Sequence, residues 1–197
     1  DFTKDDIFDD EEENPWIIEK NIFPNNSWHN PEVIQLPDGR FRMYFHIGVE
    51  MKSAISNDGQ TFTVEPGTRL AGSMPAIVEI ESGRWRMYFQ SIDSGRGVFK
   101  SAVSVDGFTW QEETGIRLSA GDQWDKDNIV HPSVIKLPGN QWKMYYDGEI
   151  RKDANNFTWR ILSASSNDGL NWTKDAGVRI NVFEEPLDAD LVWSSSA

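Results

Sequence analysis

His131-Pro-Ser-Val-Ile-Lys-Leu137, Trp142-Lys-Met-Tyr-Tyr146, Ser163-Ala-Ser-Ser-Asn-Asp-Gly169 and Trp172 form a string of short, partly alternating apolar runs separated by turn residues. The same string occurs twice upstream. Asn30-Pro-Glu-Val-Ile-Gln-Leu36 leads to Phe41-Arg-Met-Tyr-Phe45, Ser53-Ala-Ile-Ser-Asn-Asp-Gly59 and Phe62. Met74-Pro-Ala-Ile-Val-Glu-Ile80 leads to Trp85-Arg-Met-Tyr-Phe89, Ser101-Ala-Val-Ser-Val-Asp-Gly107 and Trp110. Each copy closes on one further pattern, at Gly67 to Leu70, Gly115 to Leu118 and Gly177 to Ile180. Self-similarity at a spacing of roughly 45–60 residues signals a repeat architecture. Runs rich in Val, Ile, Tyr, Phe and Trp, bounded by turn residues, read as strands, four to each copy. Asp58-Gly59, Asp106-Gly107 and Asp168-Gly169 mark the third turn, where glycine accepts the positive φ of a tight hairpin.

Four antiparallel strands per repeat make a propeller blade. The fold class is therefore all-β, a β-propeller of four-stranded antiparallel blades over about 29–70, 74–118 and 131–180. Trp16 to Phe23 has the pattern of an outermost strand, and Asp188 to Trp193 that of an innermost one. Segments 16–23 and 188–193 are thus expected to form a split partial blade, giving a propeller domain over 15–197. Such an arc reads either as a segment of a longer propeller or as three blades whose partial blade closes or pairs, and its unpaired edge strands offer a route to a homo-oligomer.

Composition narrows the function. The 197 residues carry 32 acidic against 19 basic side chains and no cysteine. That balance argues against nucleic acid, whose phosphates need cations. No apolar run approaches the ~20 residues of a membrane span, so no membrane partner is expected. Without cysteine there is no thiolate nucleophile and no Cys-ligated metal. Eight acidic residues crowd into 1–14 against Lys4 alone, which reads as a solvated, disordered acidic arm. The chain begins at Asp1, so a signal peptide is expected to have been removed and the protein to be secreted or periplasmic.

The x-Pro-x-Val-Ile opening, the Arg/Lys-Met-Tyr second strand and the Ser-x-Asp-Gly-x-x-Trp/Phe hairpin together resemble the five-bladed propeller superfamily of carbohydrate-active enzymes. That superfamily includes arabinanases, β-xylosidases, invertases and levanases. The hairpin is also similar to the Asp-box of sialidases. The resemblance runs from about Trp16 to Trp193 and implies an oligo- or polysaccharide as partner, held in a funnel on one face. It also implies acidic residues at the openings of blades one and two and a glutamate on blade three. Here those openings hold Asn30 and Met74, with His131 at the third; only Asp188, on the partial blade, is acidic.

A meander fixes which turns share the funnel face. The third turns lie opposite it, and their aspartates are assigned to hairpin structure rather than chemistry. The funnel draws on the strand openings, on second turns beginning at His46, Gln90 and Asp147, and on two long loops, Ser119 to Asn128 and Asp147 to Asn156. Glycoside hydrolysis needs two carboxyl groups, about 5 Å apart for retention or roughly 6.5–9.5 Å for inversion. The expected acid/base pair is Asp188 with Glu149, and Glu32 is the third candidate. Period-two alternation aims Glu32 with Asn30. Expected substrate contacts are Trp28, His29, Asn30, His131, Trp124, Asp127, Asp147 and Arg151, the indoles by stacking. No metal or other cofactor is expected, since two histidines without a carboxylate partner make weak evidence for zinc. The alternative is a non-catalytic scaffold whose rim loops hold a protein or a glycan.

Overall fold

A computed structural model describes residues 28–153 and 156–181. The acidic arm 1–14, the strand-like segments 16–23 and 188–193, and Asp188 itself lie outside them. The described regular structure is β apart from one 3-10 turn at Pro138–Asn140, and it falls into three antiparallel sheets. The first holds β1 (His29–Gln35), β2 (Phe41–Ile47), β3 (Glu50–Ser56), β4 (Thr63–Val64) and β5 (Leu70–Ala71). Next come β6 (Ser73–Glu81), β7 (Arg84–Asp93), β8 (Arg96–Ser104) and β9 (Gln111–Ser119). The third holds β10 (Asn128–Leu137), β11 (Gln141–Asp153), β12 (Asn156–Ser166), β13 (Trp172–Lys174) and β14 (Ile180–Asn181). Within each sheet the strands pair in chain order as a meander, and β4 with β5, or β13 with β14, together take the outermost place that β9 fills alone. Strands β1, β6 and β10 neighbour one another in that order, so the innermost strands of the three blades line one side of the arc.

Alternation along the second strand builds the core. Met87 and Phe89 of β7 pack with Ile34, Leu36 and Tyr44 of the blade before. Tyr88, between them, turns to the blade after, joining Ile129, Met144 and Tyr146. Every blade thus carries an incoming face and an outgoing face, with opposite parities of one strand.

The third turns lock the blades together. In each, a serine hydroxyl donates to the aspartate and accepts the glycine N–H, 2.9 Å away at Gly59, Gly107 and Gly169. The aspartate then accepts two further backbone N–H groups, from Gln60 and Thr61, Phe108 and Thr109, or Leu170 and Asn171. The glycine carbonyl reaches the neighbouring blade: Tyr44 donates to Gly107, and Tyr88 to Gly169 at 2.7 Å. Arg42 and Arg86 donate to the adjoining carbonyls of Asp106 and Asp168, and each pairs with a glutamate of its own blade, Glu65 or Glu113, at 2.8 Å. A left-handed glycine is needed here twice over. It turns the hairpin, and a Cβ at Gly169 would stand 2.6 Å from Arg86 and 2.8 Å from Tyr88.

Candidate functional site

The innermost strands share one irregularity at one place. Asn30, Met74 and His131, each followed by proline, hold φ of 52°, 53° and 50°. The ladder slips at all three, between His29 and Glu32, Ser73 and Ala76, and Val130 and Ser133. A bulge with its residue in the left-handed region bends a strand and re-aims a side chain. For a non-glycine residue it costs of order 1–3 kcal/mol and marks a place where side-chain direction matters.

Around these openings gather all three histidines of the chain. His29 lies opposite His46, ring centroids 5.7 Å apart. The buried His46 ring sits with Nε2 3.0 Å from the Asn30 amide oxygen and Nδ1 2.9 Å from the Gly48 carbonyl. Burial lowers its pKa, the Gly48 carbonyl opposes this, and nearby His29 and His131 lower it further. His131 Nδ1 lies 3.0 Å from Asp147 Oδ2. Asp147 is almost fully buried, and its Oδ1 has no hydrogen-bond partner among the described residues. Burial holds its carboxyl above the usual aspartate range, with the His131 contact pulling the other way. Among the described residues no group of three His, Asp or Glu side chains is placed to hold a metal ion.

The stretch read as a loop from Asp147 to Asn156 is a long hairpin instead. β11 runs on to Asp153, and its ladder with β12 is unbroken from Trp142–Ser166 to Arg151–Phe157. Ile150, Phe157 and Trp159 are strand-forming residues that outweigh the charges between them. Asp147 and Glu149 therefore share one face of a strand, with Cα atoms about 6.5–7 Å apart. Gln90 likewise lies within β7 rather than at a turn. Glu149 is buried and committed to Arg151, whose Nε is 2.6 Å away. Arg151 donates its backbone N–H to Asp127, and the Asp127 N–H returns to the Glu149 carbonyl. These three expected residues form one cluster that ties the 120–127 loop to the hairpin.

Glu32 and Asn30 do not act side by side, because the bulge between them breaks the two-residue alternation. Asn30 turns to His46, whereas Glu32 crosses to the next blade and accepts the Ile77 N–H at 3.1 Å. Burial raises the Glu32 pKa, and the Ile77 contact opposes it. The two expected stacking residues already have ring neighbours. Trp28 stacks on Phe45 with centroids 4.2 Å apart, and Trp124 lies under Arg160 and against the core between blades two and three.

Sequence reasoning placed His46 and Gln90 on the funnel face but gave them no role, and it left Asp125 unnamed within the 119–128 loop. Gln90, on β7 where His46 and Asp147 stand on β2 and β11, donates to Asn128 and to the Ile129 carbonyl, bridging two blades. Asp125 is fully buried and holds Tyr146, Lys174 and the N–H of Asp122. The repeat alignment itself offered His46, since it aligns with Asp147, but histidine in that register gave no motif.

No family model matches this sequence, and no curated protein does. Solved structures do match in fold. An endo-1,4-beta-xylanase from Bacteroides thetaiotaomicron aligns with a TM-score of 0.62 at 17% identity, over 77% of this chain and 54% of its own. For a family 117 glycoside hydrolase from the marine bacterium Zobellia galactanivorans the values are 0.62, 18%, 76% and 55%. A GH32 beta-fructofuranosidase from Bombyx mori aligns at 0.56 and 15%, over 75% and 34%. The protein has the propeller fold of these glycoside hydrolases and spans about half the length of the first two.

Proposed function

We propose that this chain is a glycan-processing propeller whose chemistry centres on His131 and Asp147. One observation carries the reading: a buried carboxylate pinned to a histidine at a strained strand opening. Functional sites are where such strain and perturbed carboxyls gather. Asp147 Oδ2 fixes the orientation of the imidazole through Nδ1. Glu32 stands on β1, two innermost strands from His131, and reaches across to Ile77 of the β6 strand between them; its pKa, raised by burial, suits the proton donor. In this reaction water adds to the anomeric carbon as the glycosidic C–O bond breaks. The proton lost by water goes to His131, and Glu32 protonates the departing oxygen.

A second reading, glycan binding without turnover, is favoured by Asn30 and Met74. Neither can ionise, yet both hold the same strained geometry as His131. The deciding experiment screens aryl glycosides and plant and marine polysaccharides for hydrolysis, and oligosaccharides for saturable binding. The first reading expects turnover that falls by about 10²–10⁴ in His131→Gln and in Glu32→Gln. Binding without turnover establishes the second. Neither binding nor turnover overturns both.

A further inference from the structure

The two ends of the described arc complement each other. At each internal joint the glycine of a hairpin is buried under the preceding blade. Gly107 faces Leu36, Tyr44 and Arg42, and Gly169 faces Arg86 and Tyr88, with Trp142 of its own blade beside them. Gly59, the equivalent in blade one, is exposed, and a Cβ there would meet only Phe41 of its own blade. Blade one thus presents a hairpin tongue, 56–62, with no receptor among the described residues.

Blade three presents the opposite. At the internal joints, Arg69 stacks on Phe108 at 3.7 Å, and Arg117 donates to the Leu170 carbonyl at 3.0 Å; both are buried. Arg179, at the same position of blade three, is exposed, and its guanidinium bonds only its own turn, at Ala176 and Gly177. Ile34 and Leu36 are 8% and 6% exposed inside a joint, whereas their counterparts Ile135 and Leu137 are both 36% exposed, and Ile180 is 50% exposed. Tyr145 stands where Tyr44 and Tyr88 grip a glycine carbonyl, and its hydroxyl has no hydrogen-bond partner among the described residues. The incoming face of blade one, meanwhile, retains a cavity of about 260 Å³ lined by Met43, Phe45, Ala54 and Phe62 together with Trp28, which stacks on Phe45. The first three of these align with Met87, Phe89 and Ala102, which pack against blade one within the core.

We propose that the outgoing face of blade three receives the 56–62 hairpin of a second copy of this chain, forming a head-to-tail joint of the kind already present between its blades. The interface is continuous with an existing one, and one chain carries both halves. A tongue needs glycine in the left-handed region, and residues 1–27 and 182–197 contain no glycine. Joining different surfaces makes the contact heterologous, so copies close into a ring or run on in a line.

The test uses the 197-residue chain in sedimentation velocity from micromolar to several hundred micromolar. Concentration-dependent association is expected, whether to dimers or longer assemblies. Arg179→Glu and Gly59→Val should each weaken it by at least about tenfold, while an equimolar mixture of the two should recover a one-to-one complex. Near-ultraviolet circular dichroism reports whether each variant is folded. The cysteine-free background allows a second readout that does not depend on either. Gln60→Cys and Arg179→Cys, made in separate chains and mixed under mild oxidation, should cross-link to each other far more than to themselves. A chain that stays monomeric throughout, with either thiol slow to react because its own termini cover it, overturns the proposal. So does like-with-like cross-linking, or association unchanged by both substitutions.

Discussion

His131 and Asp147 face one another at the opening of β10, with Nδ1 and Oδ2 3.0 Å apart, and the second carboxylate oxygen of Asp147 is buried without a hydrogen-bond partner among the described residues. A carboxylate with one satisfied and one orphaned oxygen is costly to keep charged. Packing alone would be better served by a neutral amide of the same shape. The arrangement therefore costs the fold stability whenever Asp147 is ionised.

Replacing Asp147 by asparagine separates that cost from the proposed chemistry. The raised carboxyl pKa means that the folded chain holds its proton more tightly than the unfolded one. Stability from this group is present below the unfolded value near 4 and is lost as pH rises through the folded value. Asp147→Asn is expected to melt higher than the parent at pH 7, with the gap closing toward pH 4. Hydrolysis should fall by about 10²-fold or more. Thermal melts across that range and initial rates check both; parallel melting curves would count against the burial argument.

The joint tyrosines give the next expectation. Tyr88 is fully buried, its hydroxyl pKa pushed up to about 12 by desolvation, and it donates to the Gly169 carbonyl of the next blade. Tyr88→Phe leaves that buried carbonyl unsatisfied, a loss of about 1–3 kcal/mol. For a chain of this size each kcal/mol moves the melting temperature by roughly 2–4 °C. Tyr44→Phe should behave alike. Tyr145→Phe should leave the melting temperature of the monomer unchanged, and urea titration of the three variants makes the comparison.

Blade count and blade type were legible because they are written three times, in Val-Ile runs, Met-Tyr pairs and Asp-Gly turns. The inward and outward parities of Met87, Tyr88 and Phe89 follow from a period of two. The site was legible only in part. His131 and Asp147 were both named, yet their pairing was not, since it depends on a bulge at His131 that no composition rule signals. That same class of bulge undid the expected alignment of Glu32 with Asn30. The hairpin carrying Asp147, Glu149 and Arg151 looked like a loop because charges dominate it locally. Only the cross-strand partners Phe157, Trp159 and Ile161 reveal it as sheet.

Met74 offers a way to weigh strain without touching the proposed chemistry. It holds φ of 53° with a side chain that cannot ionise. Met74→Gly removes the steric conflict and is expected to stabilise the chain by about 1 kcal/mol, less the entropy glycine loses on folding. Chemical denaturation measures this. A destabilised variant would show that the Met74 side chain contributes packing greater than its strain.

Gly148 should tolerate nothing larger. It lies between Asp147 and Glu149, and a Cβ there would stand 2.6 Å from Leu162, 2.8 Å from the Asp125 Cβ and 2.8 Å from the Trp124 carbonyl. Two of these neighbours belong to the 120–127 loop that Asp125 pins in place. Gly148→Ala is expected to cost about 1–3 kcal/mol by overpacking. It should also displace that loop, so proteolysis within 120–127 should rise with the fall in melting temperature. A melting temperature equal to that of the parent chain would contradict the close approach.

The hairpin aspartates set the behaviour in acid. Backbone N–H groups of Thr61 and Gln60 hold the Asp58 carboxyl down to about 2. At Asp106 burial pushes upward, but Thr109 and Phe108 outweigh it and the result is again about 2. Asp168 is lowered further, chiefly by Asn171 and Leu170. Depressed carboxyl pKa values give stability that is complete above the unfolded value near 4 and lost as pH falls through the folded values. The parent chain is therefore expected to lose stability steeply between about pH 4 and pH 2. Two of these turns also form the blade joints, through Gly107 and Gly169, so their protonation should loosen the joints together with the hairpins. Asp168→Asn cannot ionise, so it should begin less stable at pH 7, and the gap to the parent should narrow as pH falls from about 4 toward 2. Melting temperatures of both proteins measured across this range decide the matter, because a gap that stays constant down to pH 2 would mean that Asp168 contributes nothing through its charge.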